Sequence, residues 1–319
     1  MAEIGTDIQK AARLLKQGKL VAIPTETVYG LAGNAFNEQA VLSIFETKNR
    51  PEFDPLIVHS SSVEWIKEHV AEIPSLAKTL MDEFWPGPMT LVLPKKPIVP
   101  DVVTSGLDSV AVRVPSHPMT QDLLRLLDFP LAAPSANPFG YVSPTTAQHV
   151  ADQLADKIEY ILDGGPTSVG LESTIIGFED GNPVVYRLGG LSLDVIEELI
   201  GDVRLEINQS SDPKAPGMLK SHYAPGKPLY LGNPEALIAE LEGKRIGFLG
   251  FKTPVESISS DRQLILSPKG DLHEAAVNLF AYMRLFEKFP VDVIVAEKLP
   301  ETGIGRAIND RLRRACVNP

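Results

Sequence analysis

Short apolar runs alternate with amphipathic stretches along the chain, the rhythm of strands and helices in an α/β fold. In the first part the runs predict strands at 20–23, 56–59, 90–93, 110–114, 130–133, 159–162, 173–177 and 184–188. Helical spacing predicts helices at 7–16, 38–47, 62–70, 74–84, 117–127, 145–154 and 193–200. Strands 173–177 and 184–188 follow one another across the turn-like Glu179-Asp180-Gly181-Asn182, so a mixed sheet is expected. Over 205–228 the periodicity stops, and text rich in Pro, Gly and Ser reads as a linker. The rhythm then restarts, with strands expected at 229–231, 245–249, 263–266 and 291–296 and helices at 234–242, 271–287 and 305–315. Leu272, Ala276, Leu279, Met283 and Phe286 recur at helical spacing and read as core rather than as a cofactor box. The expected organisation is a first domain over 1–204, a linker over 205–228 and a small three-layer α/β domain over 229–319.

Bulk properties narrow the chemistry. A chain of 319 residues exceeds what one modest core organises, in keeping with two domains. The net charge of −11 argues against a surface that coats itself with nucleic acid, but leaves room for a local basic cleft. A single cysteine, Cys316, excludes an intrachain disulfide and a cysteine-cluster metal site. The histidines show neither HxH nor HExxH spacing, so no protein-held metal is expected. No apolar run approaches the roughly 20 residues that span a bilayer, and the N-terminus lacks the apolar core of a secretory signal. A cytoplasmic setting without membrane contact is the expectation.

The polar chemistry gathers first between Lys19 and His59. An apolar strand runs into Pro24-Thr25-Glu26-Thr27, at the strand end where open α/β sheets bind ligands. The segment exits through Lys48-Asn49-Arg50-Pro51, whose cations either complement a helix C-terminus or clamp an anion. Neither a Walker A loop nor a GxGxxG follows a strand, so phosphates would be held by scattered groups. Candidates are Ser135 and Asn137 in the Pro-flanked 133–138 segment, Ser143, and Ser173 at the start of a strand. Arg113 and Arg187 sit on apolar strands, where a charge is costly unless paired. Two arginines on separate apolar strands suit clamps for carboxylate or phosphate, with a structural ion pair for each as the competing reading.

PTETVYGL, KNRP, the SAN triplet, STII and YRLGG, in that order, resemble the YrdC-like family of threonylcarbamoyl-AMP synthases. APGMLKSHYAPGKP and GIGRAINDRLRRA resemble its longer, two-domain form. The resemblance implies a twisted mixed open sheet with a concave ligand cleft, and a small Rossmann-like C-terminal domain. It implies an L-threonylcarbamoyladenylate synthase, a nucleotidyltransferase using L-threonine, bicarbonate and ATP. Its product would pass to the tRNA threonylcarbamoyl-transferase machinery for N6-threonylcarbamoyladenosine next to the anticodon. Lys48 and Arg50 would be the catalytic cations. ATP would meet Lys48, Arg50, Asp54, Ser109, Ser135, Asn137, Ser143, Arg187 and Tyr223, and threonine would meet Thr27, His59, Arg113, Ala133 and Ser173. Mg²⁺ would be held mainly by ATP phosphates and water, and Asp54 would reach the nucleotide by backbone or through the metal. The linker and second domain are expected to cover the cleft. Two alternatives stand beside this. One is a hydrogenase-maturation carbamoyltransferase, which the single cysteine opposes; the other is a double-stranded RNA or tRNA binding module without catalysis, whereas for the enzyme a weak tRNA contact is the expectation.

Overall fold

The computed structural model describes residues 1–207, 215–218 and 223–316. The expected linker therefore lies partly outside the described residues, as does 317–319 of the second domain's expected range. The strands of the first unit are β1 (Glu3–Gly5), β2 (Val21–Ile23), β3 (Gly30–Asn34), β4 (Ile57–His59), β5 (Met89–Pro94) and β6 (Ser109–Arg113). They continue with β7 (Leu131–Ala132), β8 (Tyr160–Leu162), β9 (Thr174–Glu179), β10 (Asn182–Arg187) and β11 (Arg204–Leu205). They form one mixed open sheet in the order β1-β8-β2-β3-β7-β4-β6-β5-β9-β10-β11.

Every strand expected from the apolar runs is present, and three more appear. β1 and β11 are short edge strands whose residues are largely exposed, so they carry no apolar signature. β3 is Gly-Leu-Ala-Gly-Asn, a composition that reads as loop or helix entry. Its position between β2 and β7 explains the glycines, since a Cβ on Gly33 would meet Leu20 at 3.0 Å and Ile44 at 3.2 Å. The linker reading also begins one residue early, because Leu205 pairs with Val185 on β10.

Local chemistry sets the helix ends. Asp7, Asn37, Ser62 and Thr146 each cap a helix by accepting from a backbone N–H of the first turn. Helix Glu38–Lys48 stops at Asn49, whose φ of 51° lies in the left-handed region that Asn tolerates. Just past that stop, Arg50 donates to the carbonyls of Asp54 and Pro55 in the loop that leads to β4.

The second unit is a parallel sheet of β12 (Leu229–Leu231), β13 (Ile246–Gly250), β14 (Gln263–Ile265) and β15 (Val293–Ala296), in the order β12-β15-β13-β14. Helices Pro234–Glu240, Leu272–Leu285 and Gly305–Ala315 accompany it. The two units share one apolar core: Val142, Val150 and Leu171 belong to the same buried cluster as Leu279, Phe280 and Phe286. Arg284 reinforces the contact, donating to the carbonyls of Val142 and Ser143 and to Gln153 Oε1. No helix among the described residues is long and apolar enough to cross a membrane.

Candidate functional site

A cavity of about 60 Å³ opens at the strand ends of the large sheet. The parallel pairing of β4 with β6 sets His59 beside Arg113, both at C-terminal strand ends. Thr27 joins them, because the turn after β2 is held by Thr25, whose Oγ1 lies 2.8 Å from Thr27 Oγ1 and donates to Val28 O at 2.6 Å. Arg113 donates to Thr27 Oγ1 at 2.9 Å, to Glu26 Oε1 at 2.6 Å and to Gly87 O at 3.2 Å. Glu26 thus neutralises Arg113, a partner the sequence reading did not supply. Burial, and then the charge of Arg113, push the His59 imidazole down to about 3, so it is a neutral hydrogen-bonding ring at working pH. Ala133 and Ser173 complete this half of the lining.

The other half is cationic. Arg50 and Arg187 line it together with Ser135. Arg50 is fixed by Asp54, with Nη2 2.9 Å from Oδ2, and by the carbonyls of Asp54 and Pro55. Arg187 differs. All its hydrogen bonds go to Ser173, two to the carbonyl and one to the hydroxyl, and no carboxylate among the described residues lies within ion-pair distance. Burial pushes its guanidinium down to about 10, which leaves it charged at neutral pH. A buried cation without a counter-ion is costly, so the site is poised to accept an anion.

Several expected contacts lie behind the wall rather than in it. Lys48 is buried, and its ammonium donates to the carbonyls of Ser135 and Asn137, both at 2.5 Å. Asn137 spends its amide on the carbonyls of Pro138 and Tyr141, and Ser143 donates to Glu172 Oε1 at 2.5 Å. Asp54 is wholly buried on Arg50 and accepts from Gly217 N at 3.2 Å, so its carboxylate faces the linker. Ser109 lies outside the lining of this cavity. It opens β6, opposite Pro94, four residues from Arg113 and therefore about 13 Å away at ~3.3 Å per residue. It borders a separate groove with Val92, Phe178 and Tyr186.

The roof comes from segments distant in sequence. Pro216, Gly217 and Tyr223 line the cavity. Gly217, at φ 76°, brings its backbone onto Arg187, where a Cβ would meet Nη1 at 3.0 Å. Tyr223 is buried at φ 67°, unusual for a bulky residue. Its ring stacks on Phe280 at 5.5 Å and lies under the guanidiniums of Arg311 and Arg314, at 5.1 and 4.9 Å. Arg314 also donates to Gly217 O at 2.8 Å. Arg311, fully buried, donates to Glu172 Oε2 at 3.0 Å and to Asp310 Oδ2 at 2.9 Å. Glu26, Glu172, Arg311 and Arg314 were not among the sequence candidates. The only signal for the last two was the charge-rich text of 306–314 in a helix expected to pack.

No group of three or more His, Cys, Asp or Glu that could hold a metal ion occurs among the described residues. Glu172, the one carboxylate among the described lining residues, is already engaged by Arg311 and Ser143. The donor set does not fit a resident magnesium ion; an ion arriving on a nucleotide brings its own oxygens.

Residues 13–189 match the family described as Telomere recombination (Sua5/YciO/YrdC), and 191–316 match the threonylcarbamoyl-AMP synthase C-terminal domain. The threonylcarbamoyl-AMP synthase of Pyrococcus abyssi is 46% identical over 323 residues, covering 97% of this chain and 93% of the relative. That of Bacillus subtilis is 43% identical over 319 residues, covering 97% and 92%. The solved structure of P. abyssi Sua5 complexed with L-threonine has a TM-score of 0.91 at 42% identity, covering 99% of this chain and 97% of that one. E. coli YciO, 22% identical with a TM-score of 0.52, covers 59% of this chain and 96% of its own and shares the fold.

Proposed function

The chain belongs to the Sua5/YciO/YrdC family in its two-domain form, and from that premise we propose that it makes threonylcarbamoyl-AMP and pyrophosphate from L-threonine, bicarbonate and ATP. The observation that carries the reading is Arg187, a buried guanidinium in the cavity wall without a carboxylate partner among the described residues. It lines the same cavity as Arg113, Thr27 and neutral His59.

The cationic half takes the triphosphate and the other half takes the amino acid, whose carboxylate faces Arg113. The threonine nitrogen attacks the bicarbonate carbon, the N–H proton and one bicarbonate hydroxyl leave as water, and the resulting carbamate presents an oxygen to the α-phosphorus. The new O–P bond forms as the bond to the β-phosphate oxygen breaks, and pyrophosphate leaves with both electrons of that bond. Chemistry of this kind needs mainly positioning and charge neutralisation, which Arg50 and Arg187 provide. Lys48 acts at one remove, by fixing the carbonyls on either side of Ala136. Mg²⁺ enters as part of the nucleotide substrate, and none of these residues acts through it.

The cavity of about 60 Å³ has room for about five waters, at ~10–15 Å³ each, far less than a nucleotide. ATP entry therefore requires Pro216, Gly217 and Tyr223 to move off the cleft, a gating step. The product serves tRNA N6-threonylcarbamoyladenosine through a separate transferase, in the cytoplasm. The test is to incubate the protein with Mg·ATP, bicarbonate and a panel of amino acids. Pyrophosphate release that saturates with threonine and not with serine or valine is expected. Release independent of the amino acid, or none, overturns the reading.

A further inference from the structure

Glu172 poses an electrostatic problem for an anion-binding cavity. It lines the wall beside Arg187, and the two charges influence one another although they form no ion pair. Burial alone would raise its carboxyl, yet Arg311, Arg187 and the Ser143 hydroxyl hold it below the usual carboxylate range, so it is ionised at neutral pH. An unpaired carboxylate here would repel a polyphosphate, or would capture Arg187 and fill the vacancy the nucleotide needs.

The second domain supplies the answer. Arg311 is carried by helix Gly305–Ala315 and has no exposed surface. Its Nε donates to Glu172 Oε2 at 3.0 Å while Ser143 takes Oε1, so both oxygens are held away from Arg187. Its Nη1 pairs with Asp310, and its Nη2 has no hydrogen-bond partner among the described residues. A full positive charge is thus brought across the domain boundary to a residue 139 positions away.

Resting on the nucleotide reading above, we infer that Arg311 is a positioning residue of the second domain that sequesters Glu172 and so keeps Arg187 available for the substrate polyphosphate. Arg311 does not itself line the cavity. Its role predicts an interaction between two substitutions rather than a simple loss.

Binding of ATP, and separately of inorganic tripolyphosphate, is measured by calorimetry on the full chain. Wild type, Arg311→Ala, Glu172→Gln with Arg311→Ala, and Arg311→Lys are compared. Arg311→Ala should weaken both anions about tenfold or more, as expected for a charged hydrogen bond withdrawn from the site, with KM for ATP rising and KM for threonine moving less than about twofold. The double variant should recover to within about threefold of wild type, because no carboxylate remains to compete. Arg311→Lys should sit nearer to wild type than Arg311→Ala. If Arg311→Ala does not fold, Arg311→Met, which fills a similar volume, carries the same comparison with and without Glu172→Gln. A double variant as weak as the single one, or a folded single variant that binds like wild type, overturns the inference. Wild-type protein that binds neither anion overturns the nucleotide reading itself.

Discussion

Arg50 and Asp54, one helical turn apart in sequence, form an ion pair of 2.9 Å with both side chains out of solvent. The pair accounts for a carboxylate placed beside the cations of the 48–50 segment. Asp54 is neutralised by Arg50 and holds the backbone of Gly217, so it tunes the clamp and anchors the linker. Breaking such a pair leaves an uncompensated buried charge. Asp54→Ala is expected to lower unfolding free energy by about 3–5 kcal/mol in urea titrations. A loss under about 1 kcal/mol would show that the pair is not closed in solution.

Lys48 reads in sequence as a phosphate ligand and in the structure as a brace. Lys48→Met keeps the stem but takes the ammonium from both carbonyls, leaving Ser135 O with the Asn137 N–H alone and Asn137 O without that donor. The expected cost is about 2–3 kcal/mol of stability, together with loss of pyrophosphate release because Ser135 shifts in the wall. Full stability with complete loss of activity would instead assign Lys48 to the nucleotide directly.

His59 makes stability pH-dependent with a definite sign. Burial, then Arg113, lower its folded pKa to about 3, against 6.5 when unfolded. Between those values the unfolded chain binds more protons, so stability is complete above pH 6.5 and declines as pH falls toward 3. His149, lowered to about 4 by burial and then Arg284, acts in the same direction. Urea midpoints should fall on going from neutral pH to about pH 5, and His59→Gln should flatten the dependence by up to ~1.4 kcal/mol per pH unit. Activity should show no titration of His59 between about pH 6 and 8, since the ring stays neutral throughout. An unchanged slope in His59→Gln would remove His59 from this role.

The strand skeleton was legible because burial on a sheet selects continuous apolar runs, and 20–23, 110–114 and 184–188 carry them plainly. β3 was not, because Gly33 is there to let Leu20 and Ile44 approach and Gly30 to let Ala133 approach, a requirement visible only once the neighbours are placed. The site residues were legible as types. Arg113 and Arg187 on apolar strands had to be paired or functional, and they divided: Arg113 is paired by Glu26, while Arg187 has no ion-pair partner among the described residues.

What the sequence by itself determined is the alternation of elements and the inventory of cations at strand ends. These follow from local periodicity and from the cost of burying charge. Only the tertiary structure decided which charge meets which. Ser109 and Arg113 share one strand, yet Ser109 lies at the far end from the cavity. Glu172 and Arg311, 139 positions apart, lie 3.0 Å from one another. Coulomb energy and hydrogen bonding depend on distance in space, and periodicity along a chain carries no record of it.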